Sequence, residues 1–317
     1  MYYSDEKTNR FYIEYMENLK TLVKEKNELL QSKIYLTGLR THLRKSRSFS
    51  EVVARAGDKL AGKGHTAAVY PDLPTAVNDR SDTNYFSKDR VAVYTCITGI
   101  YDSIMEPLVH PDNVDYFAIT DFEFPEDCSW KRIDADSFEE AKDLPPAMKN
   151  RYFKINPHKV FSEHKYSIYV DGNIRVCTDF TEHINRMSPY GFSHFRHSKR
   201  TCAYEEAKVC KILKKDSDAN IDAYTSWIRS QGFPENYGLI TCDILVREHN
   251  NPMCIKIMEQ WWEQFRDRVK RDQVSLPFVL FKNGIAIDEV ATLGGDVHKE
   301  YSFEIVKHTR VTGEEKS

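Results

Sequence analysis

The stretch Tyr166-Ser167-Ile168-Tyr169-Val170-Asp171-Gly172-Asn173-Ile174 constrains this chain more than any other. An apolar run meets a carboxylate and a carboxamide two residues apart. Desolvating such groups without partners is costly, so a buried strand must end at Val170. Two readings stay open. The segment is an ordinary Asp-Gly turn, or it is a strand's C-terminal edge at which Asp171 and Asn173 share a divalent cation in a crevice.

The surrounding pattern sets the fold class. Val91 to Ile97 is a buried-strand run ended by Gly99, Tyr116 to Thr120 is a second run ended by Asp121, and Ile168 to Val170 is a third. A helix is expected around Ser137 to Lys142. After Asp179 the pattern turns mainly helical, over Thr201 to Lys215, Ile221 to Gln231 and Pro252 to Val269, with one strand from Gly238 to Val246. Strands alternating with helices, each strand ending in Gly or Asp, predict an α/β fold with a mostly parallel central sheet. Ligands of such sheets bind at the strands' C-terminal ends.

At 317 residues the chain is long enough for one large domain with appendages. That domain is expected over 90–310, after a helical extension at 1–63 and a linker at 64–89, with a disordered tail at 311–317. Tyr12, Tyr15, Leu19, Leu22, Leu29 and Leu36 form an imperfect heptad seam, interrupted by Lys26 and Lys33. Basic residues crowd the stretch from Lys33 to Lys63. The 5–62 region is therefore expected either to present a solvated helix face or to mediate oligomerisation or peripheral contact with anionic lipid. A net charge of −3 gives no nucleic-acid signature. Seven cysteines without a C-x-x-C pair fit a reducing compartment better than a disulfide framework or zinc ribbon. With no long apolar run and no secretory signal in Met1 to Lys7, the expected location is cytoplasmic, including the inner face of a membrane.

Polar residues at strand ends and loop starts are the candidates for chemistry. The first strand gives Thr95, and just past it Tyr101 and Asp102 suit base stacking and a ribose hydroxyl, or a plain Gly-Tyr-Asp turn. Asp121 either binds nucleotide or caps the next segment. Arg151 and Lys154, just before the Asp-Gly-Asn strand, are natural diphosphate partners. His197 and Arg200 suit an anionic ligand, and Glu205 or Glu206 could be a base. Asp272 and Gln273 either cap a helix or orient sugar hydroxyls. Trp261 and Trp262 read as core rather than as sugar platforms. His298 is a candidate third metal ligand, although a lone histidine is more often not one.

In order, these residues form a recurring pattern: Tyr94-Thr95 with Gly99-x-Tyr101-Asp102, Thr120-Asp121, Arg151-Tyr152-x-Lys154-Ile155 with His158-Lys159, Tyr169-x-Asp171-Gly172, His197-x-x-Arg200 with Tyr204-x-Glu206, and Arg271-Asp272-Gln273-x-Ser275. Over roughly residues 90 to 300 the chain resembles the glycosyltransferase-like family of plant wall and mucilage proteins and bacterial polysaccharide clusters. The resemblance implies a GT-A-type nucleotide-binding sandwich. It implies Mn²⁺ or Mg²⁺ at an Asp-x-Asp-like motif (Asp171, Asn173). It implies a nucleoside-diphosphate sugar donor, UDP-linked for preference, and a glycan or glycolipid acceptor. Asn173 departs from the motif, offering a carbonyl oxygen without charge.

If such an enzyme inverts, a carboxylate must deprotonate the acceptor, and Asp272, Glu205 and Glu206 are the candidates. Two rival classes predict different things. A metal-dependent hydrolase of a lipid amide or ester would gather zinc on several of His158, His164, His194 and His197. A non-catalytic glycan-binding or assembly protein would carry Asn173 as the mark of a degenerate metal site.

Overall fold

The computed structural model describes residues 89–306 apart from Ile100, Pro125, Glu126 and Tyr301. The expectations for the helical extension, most of the linker and the tail lie outside these residues.

A six-stranded sheet organises the domain. Its strands are β1 (Val91–Ile97), β2 (Val114–Thr120), β3 (Lys131–Asp134), β4 (Tyr166–Val170), β6 (Phe192–Ser193) and β7 (Ile244–Arg247), in the order β3-β2-β1-β4-β7-β6. The short strands β5 (Ile174–Val176) and β8 (Phe303–Ile305) form a separate antiparallel ribbon. β1 pairs in parallel with β2 and β4, and β2 with β3, while β7 runs antiparallel to both β4 and β6. The mostly parallel sheet read from the sequence is present.

Every residue of β1 and β4 is buried, as befits central strands covered on both faces, whose sequences read as continuous apolar runs. Side chains alternate between two cores. Ala92, Tyr94, Cys96, Tyr169 and Leu245 face one, while Val91, Val93, Ile168, Val170, Ile244 and Val246 face the other.

The first core is closed by helices α1 (Pro146–Ile155) and α4 (Pro252–Asp267). α4 starts sharply because Asn251 Oδ1 accepts from Met253 N–H at 2.9 Å and Pro252 occupies the first turn. It buries Cys254, Ile257, Met258, Trp261, Trp262 and Phe265 at three-four spacing, so both tryptophans are core. Between α1 and α4 in the chain come α2 (Ala203–Ile212) and α3 (Asp218–Ser230). α5 (Asp272–Lys282) joins α2 and α3 around a third apolar cluster, and α6 (Ile287–Val290) is a single turn.

The helix expected at Ser137 to Lys142 is corrected: that stretch holds one 3₁₀ turn (Ala135–Ser137) and further turns, and the helix lies at α1. Pro146 explains the shift, since a proline favours the first helical turn and breaks a helix interior. The strand expected from Gly238 is regular only from Ile244. Among the described residues no helix is long and apolar enough to cross a membrane.

Candidate active site

The end of β4 and the start of α5 meet at a cluster of opposite charges. Lys154, on the last turn of α1, is 1 % exposed. Its Nζ lies 3.1 Å from Asp171 Oδ1 and 3.0 Å from Asp272 Oδ2. Arg151, one turn earlier, brings Nε to 3.2 Å from the same Asp272 oxygen. Residues i and i+3 share a helix face, so α1 delivers both cations to one place. Tyr169 OH donates to Asp171 Oδ1 at 2.8 Å.

These contacts fix the charge states. Burial alone would push the Lys154 ammonium toward neutrality, but Asp171 and Asp272 outweigh it and raise its proton affinity. Burial likewise favours a neutral Asp272, yet Lys154, Arg151 and Arg271 prevail and hold its carboxyl well below the usual carboxylate range. Asp272 also sits in the first turn of α5, where Oδ1 accepts from Gln273 N–H at 3.0 Å and the helix dipole favours negative charge.

Asp243 completes the cluster and was not among the sequence candidates. Val170 pairs with Ile244 in the antiparallel β4–β7 ladder, so Asp171 and Asp243 are the next opposed pair. Asp171 N–H donates to Asp243 C=O at 2.9 Å. Directly opposed residues project to the same face with Cβ atoms roughly 4.5–5.5 Å apart. Burial, and then the Asp171 charge, push the Asp243 carboxyl up to about 7.

A second cluster adjoins the first. Arg200 Nε lies 2.6 Å from Glu206 Oε2, and His197 Nε2 lies 3.7 Å from that oxygen. His197 Nδ1 accepts from the backbone N–H groups of Lys199 and Arg200. Burial, opposed by Glu206 and reinforced by Arg200, brings its ring down to about 4, so it is neutral near pH 7. Arg271 Nε points to Cys210 Sγ at 3.3 Å, and Cys210 Sγ to Glu206 Oε1 at 3.5 Å, linking this cluster to Asp272.

The other sequence candidates divide. Asp102 is buried, and a Cβ added to Gly172 would lie 3.5 Å from its Oδ2, so this carboxylate packs against the Asp-Gly-Asn backbone. Tyr101 is 45 % exposed. Asp121 caps a loop: both carboxylate oxygens accept from Gly99 N–H, at 2.9 and 3.1 Å. Gly99 has φ +67° and a Cβ there would meet Pro146 at 2.9 Å, so the turn requires glycine. Thr95 alternates with Tyr94 and is buried, its hydroxyl without a hydrogen-bond partner. Glu205 is exposed, unlike Glu206. Gln273 is half-buried beside Asp272.

Asn173 is fastened elsewhere. Its Nδ2 donates to Val306 C=O at 3.0 Å, and its own carbonyl accepts Val306 N–H at 2.8 Å. His298 lies in a 3₁₀ turn (Val297–Lys299), with Asp296 and Lys199 as its charged neighbours. The histidines of the zinc alternative are used separately. His194 Nδ1 meets Thr241 C=O, His164 pairs with Asp115, and His158 approaches Glu259. Among the described residues no group of three His, Cys, Asp or Glu side chains could hold a metal ion.

A divalent ion of the Mg²⁺ or Mn²⁺ kind needs less from the protein. Such ions keep waters and take one or two carboxylates plus substrate phosphate oxygens. Asp171 and Asp243 are hard oxygen donors of that kind.

Residues 142–293 match the model of the TOD1/MUCI70 glycosyltransferase-like domain. The match includes Arg151, Lys154, Asp171, Asp243 and Asp272 but not the loops after β1 and β2, nor His298. No curated protein matches the chain. Among solved structures, it is similar to the WbbM bifunctional glycosyltransferase in its apo form, with TM-score 0.42 and 8% identity over 67% of this chain and 39% of that one. The chain thus spans about two fifths of that protein's length. It is also similar to the apo form of mouse xyloside xylosyltransferase 1, with TM-score 0.36 and 11% identity over 64% of this chain and 84% of that one. Neither likeness bears on mechanism. Over residues 142–293, from the turn before α1 to the segment after α6, the chain is similar to the TOD1/MUCI70 glycosyltransferase-like domain.

Proposed function

We propose that this domain transfers a sugar from a nucleoside-diphosphate sugar, UDP-linked for preference, to a hydroxyl of a glycan or glycolipid acceptor. The observation that supports this most directly is the interleaving of Lys154 and Arg151 with Asp171 and Asp272 at the sheet's C-terminal edge, inside the family match. Held cations aimed at one point are what a departing diphosphate requires. They are preorganised, so they need not rearrange as charge develops, and such groups are worth several kcal/mol each.

A divalent cation held at Asp171 would act as a Lewis acid toward the diphosphate. Lys154 and Arg151 take the phosphate charge from the α1 side. Asp272, ionised and pinned, orients them and leaves Gln273 free to meet a sugar hydroxyl. Its depressed proton affinity makes it a poor proton acceptor, and Glu206 is engaged by Arg200. Tyr101 is the exposed ring next to buried Asp102, suited to base and ribose.

A donor-hydrolysis screen with purified full chain across UDP-, GDP- and other nucleotide-sugars, with and without Mn²⁺, tests this. Turnover of one donor that disappears in Asp171→Ala is expected. No hydrolysis of, and no thermal shift with, any nucleotide would reject the proposal.

A further inference from the structure

The Asp-x-Asp-like motif of this chain has one acid, because its second position is Asn173. That side chain is also committed, donating through Nδ2 to the Val306 carbonyl while its backbone carbonyl accepts Val306 N–H. Asn173 therefore fastens the chain between β5 and the end of β8. A second negatively charged ligand must come from another element.

The β4–β7 ladder supplies it. Ser167 to Val170 pair with Arg247 to Ile244, and the register carried one step further opposes Asp171 to Asp243. The hydrogen bond from Asp171 N–H to Asp243 C=O at 2.9 Å marks that step. Face alternation agrees: Tyr169 and Leu245, two residues from each, both lie in the core beneath α1 and α4, where Lys154 also sits. The two carboxylates thus leave the sheet side by side.

Like charges directly opposed in a sheet are unfavourable. Lys154 relieves Asp171 through a 3.1 Å ion pair but is shared with Asp272. Arg151 pairs with Asp272 as well. Among the described residues no cationic side chain forms an ion pair with Asp243. A partly buried carboxylate, opposed to a second carboxylate and without an ion pair among the described residues, is a seat for a cation from outside.

We propose that Asp243 is the second carboxylate of the divalent-cation site, taking the place that Asn173 leaves vacant. The site joins adjacent antiparallel strands instead of two positions of one loop. Two carboxylates and the diphosphate oxygens, with waters, satisfy an octahedral Mn²⁺ or Mg²⁺. This rests on the nucleotide-sugar reading above.

The test is Mn²⁺ binding to the full chain, followed by loss of the free-ion electron paramagnetic resonance signal, with and without UDP or GDP. Nucleotide binding without metal is measured in parallel by calorimetry. Wild type should take up Mn²⁺ with nucleotide. Asp243→Asn and Asp171→Asn should each weaken that uptake about tenfold or more, while Asn173→Ala stays within about twofold. Apo Asp243→Asn should also unfold no earlier than wild type, since the substitution removes a repulsion; a purely structural Asp243 would make it unfold earlier. Full Mn²⁺ affinity in Asp243→Asn would overturn the assignment with the nucleotide reading intact. Nucleotide binding without any Mn²⁺ uptake by wild type would reject the cation site altogether, and absence of nucleotide binding would reject both readings.

Discussion

Lys154 and Asp272 are 118 positions apart in the chain and 3.0 Å apart in the fold. The contact ties the last turn of α1 to the first turn of α5, and Lys154 Nζ reaches Asp171 from the same position. One ammonium therefore bridges both acidic arms of the site. Its burial makes the arrangement all-or-none, because an unpaired buried charge costs far more than a pair contributes.

Lys154→Met should lower unfolding free energy by about 3–5 kcal/mol, the usual cost of breaking a buried pair from one side. Urea denaturation measures it. In the double variant Lys154→Met/Asp272→Asn the two losses should be non-additive, because both single changes break the same contact. Additive losses would mean that the two residues do not act as a pair.

Arg247 holds Lys154 in place from beneath. It is fully buried, and its guanidinium donates to Tyr94 OH at 2.5 Å and to the Lys154 carbonyl at 2.8 Å. Lysine cannot make two divergent contacts from one planar fork. Arg247→Lys should cost about 1–3 kcal/mol and reduce nucleotide-sugar turnover by more than its effect on nucleotide affinity, read as kcat against KM. An unchanged kcat would count against the brace.

Much of this site was legible in the sequence. Val91 to Ile97 and Tyr166 to Val170 announced themselves as central strands, and the cost of burying Asp171 marked a strand end. α1 was not legible as a helix. The segment Arg151 to Lys159 reads as a polar, phosphate-binding connection, yet Lys154 in it and Lys149 just before it are buried, paired with Asp272 and Asp136. Asp243 was missed although its signal was present: a single acid within Ile240-Thr241-Cys242-Asp243-Ile244-Leu245-Val246 violates the desolvation rule just as Asp171 does. What no local pattern carries is the β4–β7 register that sets those two acids opposite each other.

Asn173→Asp, which restores an acid to the motif, should not strengthen the site. A carboxylate at 173 would face the Val306 carbonyl in place of the amide that now donates to it. The expected result is a loss of about 1–3 kcal/mol in stability, seen as a lower thermal midpoint. A midpoint at or above that of wild type would show that the fastening is dispensable.

Acid should destabilise the domain through its buried histidines. Burial is the leading cause in each case, bringing His158, His197 and His249 down to about 4 and His194 to about 3. In the unfolded chain a histidine titrates near 6.5. Between roughly pH 4 and 6.5 the unfolded state therefore binds more protons than the native state, and stability rises with pH. Each such group can add a slope of up to about 1.4 kcal/mol per pH unit in that window. Asp272 works in the same direction at lower pH: its depressed carboxyl contributes stability above about pH 4, and this is lost as the pH falls. Asp243, pushed up to about 7, works the other way over the same window, but one carboxyl is outnumbered by the histidines, so urea midpoints measured from pH 7.5 to 4.5 should fall below pH 6.5. His249→Gln, which removes one of the titrating rings, should make the fall shallower; a slope unchanged by that substitution would mean that His249 is not held neutral.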